Sequence, residues 1–214
     1  MNKDNVMKND IKTLISMADS IAVIPSVVRG VDAFCAGVGL FHMLNAGSTG
    51  KKVSFLYSGD IPQGCEDLID KDQVQPLRVP NDLLISIDYS GNPGVQLHYS
   101  HDENDVLHLK LSPIGHDFDL NQKVKTQLNG GAFDLVITLG MTDLNSLEPK
   151  TKEFIERSEV LNLDNTAQNA KFGFLNLVES NLETLSLLVF KYSASWGLAP
   201  STNSAKCLLK GITS

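Results

Sequence analysis

Residues 161–173 read LNLDNTAQNAKFG, a short apolar segment that runs directly into a polar turn. The apolar segment predicts a buried strand ending at Asp164, and the Asn and Thr residues after it are typical of a turn. In an open α/β sheet, ligands and metals bind just beyond the carboxyl ends of the strands. We therefore take Asp164, Asn165 and Asn169 as candidate ligand-binding residues.

Other apolar segments along the chain alternate with segments of helical periodicity. This strand–helix–strand order at short spacing predicts an α/β fold with a mainly parallel sheet flanked by helices. The predicted strands are 20–25, 52–57, 133–139 and 160–163, and the predicted helices lie near 10–19, 31–46, 151–157, 181–195 and 201–209.

The middle of the chain breaks this pattern. Residues 83–89, 94–100 and 106–112 are rich in β-forming residues, and the connectors at 90–93 and 101–105 contain Gly, Pro, Asn and Asp. Such connectors are typical of turns, so we predict two hairpins that form an antiparallel meander. We expect a single α/β domain over residues 1–214 that carries a β insertion near residues 82–113.

Composition excludes several classes of protein. The chain has 214 residues, of which 42% are hydrophobic, and a formal net charge of -7. The acidic balance argues against strong non-specific binding to nucleic acid, which depends on clustered Lys and Arg. The three cysteines are scattered and suggest neither a disulfide framework nor a zinc site. With no apolar signal region and no apolar run near the roughly 20 residues of a membrane span, we expect a cytoplasmic protein without a membrane partner.

The 161–173 segment resembles the signature of the DHH phosphoesterases. In that family an Asp-His-His triplet ends a strand, and an Asn and an aromatic-Gly pair follow it. Asp164, Asn169 and the pair Phe172-Gly173 match this pattern. Asn165 and Thr166, however, stand where the family has its two histidines.

Two further segments extend the resemblance and also depart from it. Asp32 matches the second residue of a family Asp-x-Asp pair, whereas Gly30 stands at the first. Ser26 stands at the position of a family His. At the end of the 133–139 strand, Gly140 falls on a metal-binding Asp position, and Asp143 follows three residues later.

The resemblance covers nearly the whole chain outside the insertion, and residues 205–214 resemble the family's Ala-x-x-Leu-Leu-x-Gly-Ile run. It implies a DHH-like fold and a chemistry in which two manganese ions, held by Asp and His, activate water and clamp a phosphodiester. The family's smaller C-terminal substrate-binding domain has no counterpart here, and we expect it to be absent. Its absence predicts an apolar surface near the C-terminal helix that favours self-association.

Asp32 and Asp164 are the two metal ligands that the resemblance leaves in place. Two carboxylates without imidazoles can hold one weakly bound Mn²⁺ or Mg²⁺, but they do not make a dinuclear centre. Each also has a structural interpretation. Asp32 can stabilise the N-terminus of its helix, and Asp164 and Asn165 can cap the following turn.

These observations favour a catalytically degenerate DHH-like domain that binds a nucleotide, a short oligonucleotide or a protein partner. The alternative is an active Mn-dependent phosphoesterase, acting on short oligonucleotides or nucleotide phosphates, with substitute ligands such as Asp143, Asp88 or nearby histidines. Asp88 ends a strand before a turn, so a turn-capping role is the better interpretation. The potential ligands His98, His101, His108, His116, Asp102 and Asp117 match no zinc spacing, and we expect no site there.

Overall fold

The computed structural model describes residues 3–47, 50–77, 81–91, 94–116, 118–130 and 133–214. Its helices are α1 (Lys3–Met17), α2 (Gly30–Gly47), α3 (Leu120–Lys123), α4 (Pro149–Glu156), α5 (Leu185–Ser193) and α6 (Thr202–Ile212). Its strands are β1 (Ser20–Pro25), β2 (Lys52–Leu56), β3 (Val74–Gln75), β4 (Asn81–Ile87), β5 (Gln96–His101), β6 (Leu107–Ser112), β7 (Val124–Gly130), β8 (Leu135–Leu139), β9 (Glu159–Asp164) and β10 (Leu175–Val178).

The chain divides into two compact units. The larger unit comprises Met1–Val79 and Ala132–Ser214, and the smaller unit comprises Pro80–Gly131. The predicted α/β fold class is confirmed, because a six-stranded parallel sheet and its helices lie in the larger unit and small antiparallel sheets lie in the smaller one. That the chain forms one domain with an insertion stays a prediction.

The sheet of the larger unit has the strand order β10-β9-β8-β1-β2-β3, and all of its pairs are parallel. Val23 at the centre of β1 lies opposite Phe55 of β2 on one side and Ile137 of β8 on the other. From β1 the chain therefore proceeds first towards β2 and later, through β8, in the opposite direction. The position between β1 and β8 is the topological switch point of the sheet.

The two faces of the sheet bury different sets of side chains. Ile21 and Val23 join the main core with α1, α2, α5 and α6. Ala22 and Ile24, which alternate with them, join a smaller core with Phe154 of α4. Side chains alternate between the faces of a strand, so β1 is apolar on both faces, as a central strand between two helical layers requires.

The stretch that contains most of α2 is more apolar than the sequence analysis predicted. The stretch Val27–Ala46 has 20 residues and a mean hydropathy of 1.4, which is long and apolar enough to cross a membrane by length and composition alone. The expectation that no apolar run approaches this length was therefore wrong. However, 61% of the stretch is buried inside the fold, as in the core helix of a globular domain.

The smaller unit contains two nested antiparallel ladders. The hairpin β5–β6 pairs from Gln96 with Ser112 to His101 with Leu107. β4 precedes this hairpin in the sequence and β7 follows it, and these two strands pair with each other. The predicted meander was wrong in this respect, because β4 pairs with a strand that follows the hairpin and not with β5. The antiparallel strands also extend to Gly130, beyond the predicted limit at 113. Residues 92 and 93 of the predicted turn at 90–93 lie outside the described residues.

Candidate functional site

A cavity of about 430 Å³ lies beyond the carboxyl ends of β1, β2 and β8. This is the switch point of the sheet, where open α/β proteins bind their ligands. The loop after β1 and the loop after β8 supply most of its wall. Its lining residues are Ile24, Pro25, Ser26, Val27, Val28, Arg29, Leu56, Tyr57, Ser58, Leu77, Gly140, Met141, Thr142, Asp143, Ser146 and Leu147.

Asp164 ends β9 as predicted, and its carboxylate is fully buried. Its Oδ1 accepts hydrogen bonds from the backbone N–H groups of Asn165, at 2.8 Å, and Thr166, at 3.2 Å. Its Oδ2 accepts one from Asn169 Nδ2 at 2.7 Å. Both oxygens of Asp164 therefore already have protein donors, as the turn-capping interpretation requires.

Asn169 is the centre of a buried amide network that sequence reasoning missed. Its Nδ2 donates to Asp164 and to the Met141 carbonyl, at 2.9 Å. Its Oδ1 accepts from Asn162 Nδ2, at 2.8 Å, and from the Lys171 N–H, at 2.7 Å. All four hydrogen-bonding positions of the Asn169 amide are filled, so this side chain has a structural role.

The network crosses three strands through Asn162, which is fully buried in the middle of β9. Asn162 accepts from Thr138 Oγ1 of β8, at 3.2 Å, and donates to Asn176 Oδ1 of β10, also at 3.2 Å. Buried polar groups inside otherwise apolar strands were the sequence signal for this network, since such groups require partners.

The guanidinium of Arg29 contacts Asn165 and Thr166, the residues that stand at the positions of two histidines in the family resemblance. Its two terminal nitrogens donate to Asn165 Oδ1, at 2.6 Å, and to Thr166 Oγ1, at 3.2 Å. The Asn165 amide in turn donates to the carbonyls of Leu182, at 3.0 Å, and Glu183, at 3.1 Å. A guanidinium thus connects the loop after β1 with the loop after β9. Sequence reasoning missed Arg29 even though it lies between Ser26 and Asp32 of the quoted motif.

Asp32 lies in the first turn of α2, as predicted, but its carboxylate stabilises a different helix. Its oxygens accept from the backbone N–H groups of Leu185, at 2.7 Å, and Ser186, at 3.0 Å, which begin α5. The N-cap Thr184 accepts from the next free donor, Leu187 N, at 3.1 Å. Together they satisfy the backbone donors that a helix N-terminus leaves without intrahelical partners.

The two glycines at family ligand positions both have a positive φ, and Gly140 is also closely packed. Gly140 has a φ of +69°, and a Cβ there would meet Leu185 Cδ1 at 2.7 Å and Arg29 Cγ at 3.0 Å. Arg29 therefore packs over the backbone where a longer side chain would project. Gly30 has a φ of +59° and a ψ of -135°, a conformation that favours glycine.

Asp143 and Ser26 remain in contact with the cavity. Asp143 is half-buried, and its Oδ1 accepts from the Asn145 N–H at 2.7 Å. Ser26 is 9% exposed, and its hydroxyl has no hydrogen-bond partner among the residues that the structure describes. These two side chains add polar groups to a mainly apolar wall.

The described side chains do not fit a metal centre. No group of three or more His, Cys, Asp or Glu residues that could hold a metal ion occurs in the described part of the chain. Asp32 and Asp164 are the predicted ligands of Mn²⁺ or Mg²⁺, and both accept hydrogen bonds from N–H groups. The guanidinium of Arg29 further disfavours a cation beside Asn165 and Thr166.

The proposed substitute ligands have structural roles of their own. Asp88 accepts from the Ser90 N–H, and this backbone hydrogen bond lowers the pKa of its carboxyl group. His108 Nε2 lies 3.3 Å from Asp102 Oδ2. Hydrogen bonds from the Val106 and Asn104 N–H groups lower the pKa of Asp102. Asp117 lies outside the described residues.

The sheet order and the cavity at its switch point place the chain in the broad class of open α/β proteins. Within that class its fold is similar to that of an exopolyphosphatase-related protein from Bacteroides fragilis, with a TM-score of 0.62 at 12% sequence identity. The match covers 100% of this chain and 51% of that protein, so this chain spans about half of its length. At this identity the likeness concerns the fold. No family model matches the chain, and no curated protein matches it.

Proposed function

We propose that the chain is a DHH phosphoesterase-like domain without catalytic metals, which binds a nucleotide or a short oligonucleotide in the cavity at the switch point. The fold of an exopolyphosphatase-related protein and the ordered motif matches support the family relation. The charge of the cavity supports a phosphate-bearing ligand, because Arg29 supplies a permanent cation there.

The observation that carries the proposal is the hydrogen bonding of Arg29 to Asn165 and Thr166. In a two-metal hydrolase these positions supply imidazole ligands, and the metal ions supply positive charge to the substrate phosphate. Here a guanidinium takes that place, and it cannot lower the pKa of a bound water as a metal ion does. Binding of the phosphate is thereby retained while activation of water is lost.

Calorimetric titration with Mn²⁺ tests the absence of the metal centre. The intact protein, Asp32→Ala and Asp164→Ala are compared, with folding checked by circular dichroism. We expect no two-site binding at millimolar Mn²⁺ and no hydrolysis of a dinucleotide. A two-site isotherm that either substitution abolishes, or Mn²⁺-dependent hydrolysis, would instead establish the alternative of an active phosphoesterase with substitute ligands.

A second candidate function, association with a protein or with another copy of the chain, is favoured by the β5–β6 hairpin. Residues that share one face of this hairpin are apolar and exposed: Leu97 at 62%, Tyr99 at 76%, Leu107 at 51% and Leu109 at 44%. An isolated two-stranded hairpin with such a face is at best marginally stable in water. Light scattering at high concentration, compared between the intact protein and Tyr99→Lys, tests self-association, and an unchanged monomeric mass in both would exclude it.

The C-terminal helix gives less support to self-association than expected. Cys207 and Leu208 of α6 are buried, and Leu209 is its exposed large apolar side chain, at 64%. Gly39 of α2 lies so close that a Cβ there would meet Leu208 Cδ2 at 2.7 Å. The buried apolar side chains of α6 are therefore covered by α2, and self-association through this helix stays a prediction.

A further inference from the structure

We propose that the cavity selects a nucleoside monophosphate, with Arg29 holding its single phosphate and the apolar wall holding its nucleoside. The inference rests on the proposed function as a phosphate-binding domain without metals and names the class of ligand. It follows from the geometry of Arg29, from the balance of charge around the cavity and from its lining.

Arg29 is preorganised for an anion. A guanidinium has five N–H donors, and one on each terminal nitrogen is used for Asn165 and Thr166. The stem of the side chain packs against the backbone of Gly140. Arg29 also lines the cavity. Its side chain is held in place at both ends, the stem by Gly140 and the guanidinium by Asn165 and Thr166. Little side-chain entropy is then lost when a phosphate binds.

The charge balance favours one phosphate over several. Arg29 is the one Lys or Arg among the described residues that line the cavity, and the carboxylate of Asp143 lines it too. Each further phosphate of an oligonucleotide or a nucleoside triphosphate would need another cation, because Lys and Arg side chains neutralise the charges of bound phosphates. The chain as a whole carries a formal net charge of -7, which adds to the repulsion.

The rest of the lining suits a nucleoside. Apolar side chains of Ile24, Leu56 and Leu147 form much of the wall, and polar groups are few. The hydroxyl of Ser26, a residue that lines the cavity, is available as a donor. The volume of about 430 Å³ lies near the lower end of the roughly 300–1,000 Å³ typical of small-molecule sites.

Calorimetry in the presence of EDTA tests the inference on the intact protein. We expect adenosine monophosphate to bind at least tenfold more tightly than adenosine, inorganic phosphate or adenosine triphosphate. Arg29→Ala should weaken binding of the monophosphate at least tenfold, which is the order expected for loss of charged hydrogen bonds. Arg157→Ala is the matched control, because Arg157 is an exposed arginine paired with Glu153 on α4 and should leave binding unchanged.

The ligand comparison needs no variant, so it decides the question even if Arg29→Ala fails to fold. Adenosine binding as tightly as the monophosphate, or the triphosphate binding more tightly, would overturn the inference. Failure of all four compounds while a dinucleotide binds without metal would overturn it and leave the proposed function standing. Two-site Mn²⁺ binding with hydrolysis would instead remove the proposed function itself.

Discussion

At the scale of single residues, Asn169 connects the buried carboxylate of Asp164 to the rest of the fold. Its replacement by Ala would leave Asp164 Oδ2 and the Met141 carbonyl without their donor. Buried groups left without partners cost about 1–3 kcal/mol each, and more when charged.

We therefore expect Asn169→Ala to lower the free energy of unfolding by about 3 kcal/mol, as measured by urea denaturation. Asn203→Ala is a matched control on an exposed position of α6 and should change stability by less than about 0.5 kcal/mol. Equal stability of Asn169→Ala and the intact protein would show that the network has no stabilising role.

The sequence predicted part of this site and could not predict the rest, for a physical reason. The end of a strand at Asp164 and the polar turn after it follow from local residue types. The partners of Asn162 lie 24 residues before it, in β8, and 14 residues after it, in β10. Their contact depends on strand order, which local patterns do not contain. Arg29 was missed for the same reason, since its partners lie 136 and 137 residues away.

The free energy of unfolding should depend on pH in the alkaline range, because the cysteines are buried. Cys35, Cys65 and Cys207 are all buried as free thiols, with the Sγ atoms of Cys35 and Cys65 3.8 Å apart. Burial raises the pKa of Cys35 far above the ordinary value of 9.0 and that of Cys207 to about 12. Above pH 9 the unfolded thiols lose protons that the folded thiols retain, so unfolding becomes more favourable.

The contribution of the thiols to stability should be fully present below pH 9 and fall as the pH rises from 9 towards 12. The slope for one buried thiol is at most about 1.4 kcal/mol per pH unit. Urea denaturation between pH 8 and pH 10 measures it, and Cys207→Ala should show a smaller decrease than the intact protein. The same slope in both proteins would contradict the prediction.

At the scale of elements, Asp32 joins α2 to α5. Asp32→Ala removes the acceptor of two N-terminal donors of α5 and should lower the free energy of unfolding by about 2 kcal/mol. Asp32→Asn keeps one acceptor and should lose about half as much. Urea denaturation measures both changes.

The exposed Glu156 on α4 is a suitable control, because its nearest cation, Lys152, lies 3.9 Å away. Surface pairs of this kind contribute about 0–1 kcal/mol, so Glu156→Ala should have a small effect. If Mn²⁺ stabilised the intact protein but not Asp32→Ala, Asp32 would be a metal ligand and the capping role would be secondary.

The β segments show where prediction of elements succeeds and where it fails. Turn residues at 101–105 correctly predicted the hairpin of β5 and β6, because a hairpin is local in sequence. The pairing of β4 with β7 joins Ile87 to Val124, across the whole hairpin. The sequence analysis predicted no strand over residues 124–130, so the segment after the first turn was taken as the partner of β4, and the predicted meander was wrong.

At the scale of the whole molecule, the α/β class was predictable because helices separate apolar strands along the chain: α2 lies between β1 and β2, and α4 lies between β8 and β9. The division of the chain into two units also separates the candidate site from the antiparallel strands in sequence. Every described residue that lines the cavity belongs to the larger unit, and so does every strand of the parallel sheet. Removal of residues 80–131 should therefore leave both the core and the candidate site intact.

A flexible connection must then span from the end of β3 to the start of β8. The register of the sheet places Gln75 level with Thr138, three residues beyond the start of β8 at Leu135. Three strand spacings of about 4.8 Å and three residues at about 3.3 Å give a separation of about 17 Å. A Gly/Ser linker of about 10 residues has a root-mean-square length close to this value. With such a linker we expect a cooperative thermal transition within a few degrees of the intact protein and unchanged affinity for adenosine monophosphate. Loss of the transition would show that Pro80–Gly131 stabilises the parallel sheet, whereas a retained transition with lost binding would show that the smaller unit contributes to the ligand site.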